Sequence, residues 1–263
     1  MRKYLSMLSG VIVSIALMSG GLFPAEKPLE TGAGFVKGLL VADGSGSLAG
    51  GTVFFFNELS GPAPSSTRYW RVPDYAFKIS DDGSFQATLP AGSYYMGASK
   101  KLSGGPLGPP QDGDLFFISE DEKGNPLLHK VQENQTLNMG TVTGAAPFSR
   151  TILVTEGITS LEGTIRNEQG RPLDGMIVFA FSNPMMVGRP LYVSERSSSE
   201  GTYLLRLAGG GSYYLRTRDD YGGGPPSADQ VMGIYGKGQP VTVVTGQNLK
   251  GIDFTVTKVG IAE

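Results

Sequence analysis

The feature that most constrains this chain is that it repeats itself. Val36 to Phe56, VKGLLVADGSGSLAGGTVFFF, aligns without a gap on Leu161 to Phe181, LEGTIRNEQGRPLDGMIVFAF, at an offset of 125 residues. Gly38 falls on Gly163, Leu48 on Leu173, Gly50 on Gly175, Val53 on Val178, Phe54 on Phe179 and Phe56 on Phe181. Each block reads as strand, polar turn, strand, with residues 43–47 and 167–170 as the connections. A second match follows at an offset of 118, where Asp82-Gly83-Ser84-Phe85-Gln86-Ala87-Thr88-Leu89 meets Glu200-Gly201-Thr202-Tyr203-Leu204-Leu205-Arg206-Leu207. Phe85, Ala87 and Leu89, like Tyr203, Leu205 and Leu207, recur with the period of a half-buried strand. Ser93-Tyr94-Tyr95-Met96 then matches Ser212-Tyr213-Tyr214-Leu215, and Gly104-Gly105-Pro106 matches Gly223-Gly224-Pro225. The change of offset leaves seven extra residues in the first copy, between Phe56 and Gly83.

Two copies of one unit in 263 residues make two domains, each long enough to bury its own core. With 39 Gly, 17 Pro and no long amphipathic helical pattern in the body of the chain, the class is all-β. The expected division is a signal peptide over 1–25, a leader over 26–33, a β-sandwich over 34–143 and a linker or extra strand over 144–157. A second sandwich over 158–257 and a tail over 258–263 complete it. The first sandwich is expected to carry an inserted hairpin of its own, with strands at Leu115 to Ser119 and Leu127 to Val131. The second closes on a strand with Ile252, Phe254 and Val256 facing inward and Asp253, Thr255 and Thr257 facing out.

Arg2 and Lys3 precede an apolar run from Tyr4 to Met18 and then small residues, the pattern of a helical secretory signal peptide. The run is shorter than the roughly 20 residues a permanent span needs, so no stable transmembrane span is expected after cleavage. The expected location is outside the cytoplasm: periplasmic, on the outer surface or secreted. Losing the two positive charges of the leader takes the formal net charge from −2 to −4, which argues against nucleic acid as a partner. The chain has no Cys, so neither disulfides nor thiolate metal sites are available and the apolar core must hold the fold.

The two copies together resemble the carboxypeptidase regulatory-like domain, a transthyretin-like (prealbumin-type) β-sandwich found singly or in tandem in exported bacterial proteins. The residues that carry the resemblance are the opening V/L-x-G strand, Asp82-Gly83-Ser84-Phe85 and Glu200-Gly201-Thr202-Tyr203, Leu89-Pro90-Ala91-Gly92-Ser93-Tyr94, and Tyr235-Gly236 with Pro240-Val241-Thr242-Val243 and Gly251-Ile252-Asp253-Phe254. The resemblance implies two tandem Ig-like or transthyretin-like Greek-key sandwiches acting as accessory, adhesive or assembly modules. It does not imply peptidase activity, since no His-x-x-Glu pair is present.

Catalysis has little to work with. His129 is the only histidine and reads as a solvent-facing residue in the inserted hairpin, and no Gly-x-Ser-x-Gly elbow occurs. No enzyme activity, cofactor or metal is therefore expected, although Asp112, Asp114 and Asp229 end equivalent Gly/Pro loops and are the hard-oxygen ligands a cation would draw on. Lys37 in the first strand and Asn138 near the last raise the question of a side-chain amide crosslink, but their counterparts Glu162 and Lys250 reverse the chemistry. The binding candidates are the aromatic and Arg residues Trp70, Arg71, Tyr95 and Tyr214, together with the loop residues Gly105, Pro106, Gly224 and Pro225. Tyr94 and Tyr213 are assigned to the core, with hydroxyls tied to backbone as in a tyrosine corner. The leading expectation is a non-catalytic module that binds an envelope or surface protein through its loops. The alternatives are a carbohydrate-binding face built on Trp70, Tyr95 and Tyr214, and an accessory subunit of an exported enzyme.

Overall fold

The computed structural model describes residues 32–43, 47–102, 107–221 and 227–259. The N-terminal signal pattern and the loop residues Gly105, Pro106, Gly224 and Pro225 lie outside them. No described helix is long and apolar enough to cross a membrane.

The chain is all-β and forms two sheets, each curled into a sandwich, with no strand shared between them. The first contains β1 (Ala33–Ala42), β2 (Thr52–Asn57), β3 (Tyr75–Lys78), β4 (Ser84–Pro90), β5 (Gly92–Lys100), β6 (Leu115–Ile118), β7 (Leu128–Val131) and β8 (Thr136–Pro147). Its order is β3-β2-β5-β6-β8-β1-β4, with β7 also on β5. The second contains β9 (Thr159–Asn167), β10 (Ile177–Phe181), β11 (Tyr192–Val193), β12 (Thr202–Leu207), β13 (Gly211–Arg218), β14 (Val231–Ile234), β15 (Val241–Val243), β16 (Asn248–Leu249) and β17 (Phe254–Lys258). Its order is β11-β10-β13-β14-β17-β9-β12, with β15 on β13 and β16 on β9.

The opening and closing strands of each sandwich are parallel neighbours: β8 runs beside β1, and β16 and β17 run beside β9. This closeness accounts for the repeated glycine of the V/L-x-G strand. A Cβ on Gly163 would stand 2.0 Å from the carbonyl oxygen of Ile252, and one on Gly38 would meet Phe85 at 2.9 Å and Gly140 O at 3.1 Å. Only glycine lets the closing strand approach so near.

Alternation along the strands fills two separate cores. Val36, Leu40, Phe85 and Leu89 meet Val53, Phe55, Tyr94 and Met96 in the first. Leu161, Ile165, Tyr203 and Leu205 meet Val178, Tyr213, Leu215, Ile252, Phe254 and Val256 in the second. At about 1.5–3 kcal/mol for each large side chain buried, these clusters do the work that disulfides do in smaller exported domains. Both tyrosine hydroxyls are tied as expected, Tyr94 to Pro90 O at 3.0 Å and Tyr213 to Gly209 O at 2.9 Å, each four residues upstream.

Two expectations need correction. The strands expected at Leu115 to Ser119 and Leu127 to Val131 meet each other only at their near ends, where Leu127 N donates to Ser119 O and Glu120 bridges Pro126. Both pair antiparallel with β5, β6 along Gly97–Lys100 and β7 along Gly92–Tyr95, so they are two halves of one strand parted by the excursion 119–127. The second copy does the same, with β14 and β15 both on β13 and a 3-10 turn, Tyr235–Gly238, between them. The segment is therefore a longer version of a feature both copies possess. The linker also begins later than Gly144: Ala145 pairs with Ala42 and is buried in the first core, so β8 carries the sheet to Pro147. Thr151 to Thr155 is not a strand; it holds a 3-10 turn at Arg150–Ile152 and then runs extended to Val154, whose amide donates to Thr67 O.

Candidate functional site

The seven extra residues of the first copy lie in the long connection from β2 to β3, and this segment leaves its own sandwich to dock on the other. Arg71 organises it from inside. Its guanidinium donates to Asn57 O at 2.6 Å, Ser60 Oγ at 2.9 Å, Asp74 Oδ2 at 2.9 Å, Gly61 O at 3.2 Å and Pro62 O, while lying over the Phe56 ring. Burial works against the Arg71 charge, and the Asp74 carboxylate beside it works in favour. Its fork satisfies the carbonyls of a turn that has no ladder of its own.

With the turn so held, Trp70 to Val72 runs antiparallel to β11. Arg71 bridges Tyr192, Val72 N donates to Leu191 O at 3.0 Å, and Val193 N donates to Trp70 O at 3.1 Å. Trp70 inserts into a third apolar cluster with Phe148, Ile177, Phe179, Phe181, Met186 and Val193, and Phe116 and Tyr214 pack against it. The Trp70 ring meets Phe116 and Phe148 edge-on, at centroid distances of 6.0 and 5.7 Å. Arg150 adds an ion pair to Glu195 at 3.2 Å across the same junction.

This placement corrects the aromatic candidates. Trp70 and Arg71 are each only 6% exposed, because the segment that carries them is the contact between the domains. Tyr214 is half-buried against the Trp70 cluster, and Tyr95 is half-buried between Phe56 and Leu128 on the other sandwich. They do not form a shared open face on which a sugar ring could stack.

The acidic candidates are also dispersed. Asp114 is buried at the base of the first Gly/Pro loop, where Lys101 Nζ stands 2.7 Å away and the amides of Leu102 and Gln111 donate at 2.8 Å each. Burial alone would push the Asp114 carboxyl up, but these hydrogen bonds hold it below the usual range. Asp112 accepts from Arg150 N at 2.6 Å, and Asp229 stands exposed, 3.9 Å from Lys258 Nζ. Asp114 and Asp112 are engaged by the protein, Asp229 stands apart on the surface, and among the described residues no three His, Asp or Glu side chains converge.

His129 is not solvent-facing. It is half-buried, its Nε2 lies 3.2 Å from Ser119 Oγ, and burial holds its pKa below the ordinary value. Among the described residues no carboxylate bonds its ring, so the third member of a nucleophile-base-acid series is missing. Lys37 and Asn138 are register partners across β1 and β8, but both are exposed, the Asn138 side-chain oxygen accepts from Gly140 N, and the buried acid among the described residues, Asp114, is paired with Lys101 instead.

The described flanks of the two Gly/Pro loops do come together. Gly108 lies against the Tyr221 ring so closely that a Cβ would stand 2.4 Å from it, and Pro109 and Pro110 are buried. Tyr221 is held in turn by Phe179, by Arg196 over its face at 5.1 Å, and by a hydrogen bond to Ser194 O. Nothing in the sequence joined these loops beyond their matching positions in the two copies.

No family model matches this chain, and no curated protein does. Among solved structures it is similar to the Bacillus anthracis TIE protein, at 14% identity and a TM-score of 0.24, over 87% of this chain and 34% of that one. It is similar to a streptococcal ancillary pilin at 13% identity and a TM-score of 0.26, over 87% of this chain and 63% of the other. It also aligns with a DUF3823 family protein from Bacteroides uniformis at 13% identity and a TM-score of 0.25, over 87% and 99% of the two chains. The chain thus spans about a third of the first of these proteins and under two thirds of the second. The fold assignment rests on the chain's own strand pairing.

Proposed function

We propose that this is a non-catalytic exported protein of the cell envelope, whose tandem sandwiches of the carboxypeptidase regulatory-like type act as a protein-binding or structural module. The observation that carries the reading is the meeting of the two Gly/Pro loops at the domain junction, Gly108 against Tyr221. Loops that a rigid scaffold brings side by side are where binding residues concentrate. The docked segment supplies the rigidity, and the N-terminal Arg2-Lys3 and apolar run supply the route out of the cytoplasm. The partner-facing residues are then Gly105, Pro106, Gly224 and Pro225, and the partner is an envelope or surface protein.

The test replaces residues 103–106 and 222–226 with short Gly-Ser segments in the two-domain protein. Buried Pro109 and Pro110 and the Lys101–Asp114 pair are kept, since they hold the loop base. Crosslinked capture from envelope extracts should be lost while the β-sheet circular dichroism spectrum is retained. Capture that persists with both loops replaced would sink the reading.

A further inference from the structure

The repeat reaches further toward the N-terminus than the strands do. At the offset of 125, Leu29-Glu30-Thr31-Gly32 falls on Val154-Thr155-Glu156-Gly157: an apolar residue, a Glu and a Thr, then a glycine ahead of the opening strand of each sandwich. Gly32 and Gly157 both turn the chain with positive φ, 126° and 64°. In the second sandwich this segment is seated. Leu153 packs against the Trp70 cluster, Val154 N donates to Thr67 O at 3.0 Å, and Val154 O accepts from Arg206 Nη1 at 2.6 Å. Arg206 lies on the edge strand β12 directly opposite Ser160 of β9. Both are buried, Ser160 completely, although Leu161 and Leu205 beside them take the inward positions.

The first sandwich has the same strands but no such cover among its described residues. Phe35 stands where Ser160 does, opposite Thr88 on the edge strand β4, and is 38% exposed. Leu39 and Val41 continue the outward row at 37% and 39%, where the second copy has Thr164 and Arg166. The sister strand forms without apolar side chains in this row, so folding does not demand them. Beside the row is an open hollow of about 440 Å³, lined by Lys37, Leu39, Gln86 and Asn138 among others. An apolar row left open in one copy alone marks a contact surface. What suits it belongs to the same chain. The leader enters the structure at Gly32, at the end of the row, and residues 26–31 amount to about 20 Å of extended chain, enough to run back over Phe35 and Lys37. They bring Leu29 for Phe35, and Glu26 and Glu30 for Lys37, which makes no ion pair among the described residues. Their tether keeps them at high effective concentration. A second copy fits less well, because a twofold contact centred on the row would set one Lys37 against the other. We propose that leader residues 26–31 occupy this face, folding back at Gly32 so that Leu29 packs by Phe35 and Thr88 as Val154 lies by Arg206 in the second sandwich. The exported chain then completes its first domain with the residues next to its signal peptide, independently of the Gly/Pro loops.

The experiment compares the two-domain protein beginning at Glu26 with one beginning at Gly32. In the longer protein, methyl-labelled on leucine, the Leu29 methyl protons should show nuclear Overhauser effects to the Phe35 ring and the Thr88 methyl. Starting at Gly32 should lower the Tm by about 2–4 °C, the shift a modest loss of stability makes in a chain of this size. Leu29→Asp in the longer protein should abolish the Overhauser effects and lower the Tm about as much, while Leu29→Val, the residue of the second copy, should keep both. Phe35→Ser places the second copy's residue on the face. In that background the truncation should cost less, because the two changes remove one shared contact. The proposal is overturned by an absence of Overhauser effects from Leu29, by equal Tm values for the two lengths, or by a truncation effect that Phe35→Ser leaves unchanged. A concentration-dependent dimer that Phe35→Ser dissociates would assign the face to a second copy and overturn it as well.

Discussion

At the scale of the residue, matched positions in the two copies were informative when their partners were local. Tyr94 and Tyr213 reach backbone only four residues away, so the Ser-Tyr-Tyr pattern is enough to place them. Burial pushes the Tyr94 phenol up to about 12, as expected of a hydroxyl that serves structure and never ionises in use. Trp70 and His129 were misread because their partners are distant: a Trp flanked by Tyr69 and Arg71 looks like an exposed binding residue until the domain it docks on is known. His129 sits on β7 with its ring against Ser119, a contact set by the excursion between the two strand halves. Its folded pKa is lowered by burial, so the unfolded chain binds more protons and stability rises with pH. Stability should therefore fall as pH drops below about 6.5, the ordinary imidazole value. The difference in Tm between wild type and His129→Gln, measured from about pH 7.5 to pH 5, should move steadily against wild type on the acid side. A difference that does not change with pH would show that burial of this ring is not coupled to folding.

At the scale of the element, the repeat made most strands legible, because a period of two and a matched glycine survive in both copies. The destination of a connection was not legible. The extra residues between Phe56 and Gly83 were visible as a length difference, yet only the fold shows Trp70 to Val72 running beside β11. An edge strand exposes unpaired amides and carbonyls, and here a segment from the neighbouring domain covers them. Removing the Trp70 side chain should undo that cover. Trp70→Ala is expected to cost about 3 kcal/mol, in the range for truncating a large buried aromatic. In calorimetry the second sandwich should melt apart from the first, giving two transitions where wild type gives one. A single transition at the wild-type temperature would mean that the Trp70 cluster does not couple the two halves.

At the scale of the whole molecule, the two sandwiches share one plan: the chain enters on a central strand and leaves on its parallel neighbour, β8 beside β1 and β17 beside β9. The consequence is mechanical. Because β1 and β8 run the same way, tension applied at Ala33 and at Pro147 draws them in opposite directions along their length. All the hydrogen bonds between them are then strained together, in shear. The β1–β4 pair is antiparallel with Ala33 opposite Pro90, so tension between those two points opens the ladder one bond at a time, like a zip. Because the chain has no cysteine, thiol handles can be placed without interference. Ala33→Cys with Pro147→Cys should unfold at a higher force in single-molecule pulling than Ala33→Cys with Pro90→Cys, and equal forces would refute the shear geometry. A chain tethered at one end and held by a partner at the other would be loaded in its resistant direction, in both domains at once.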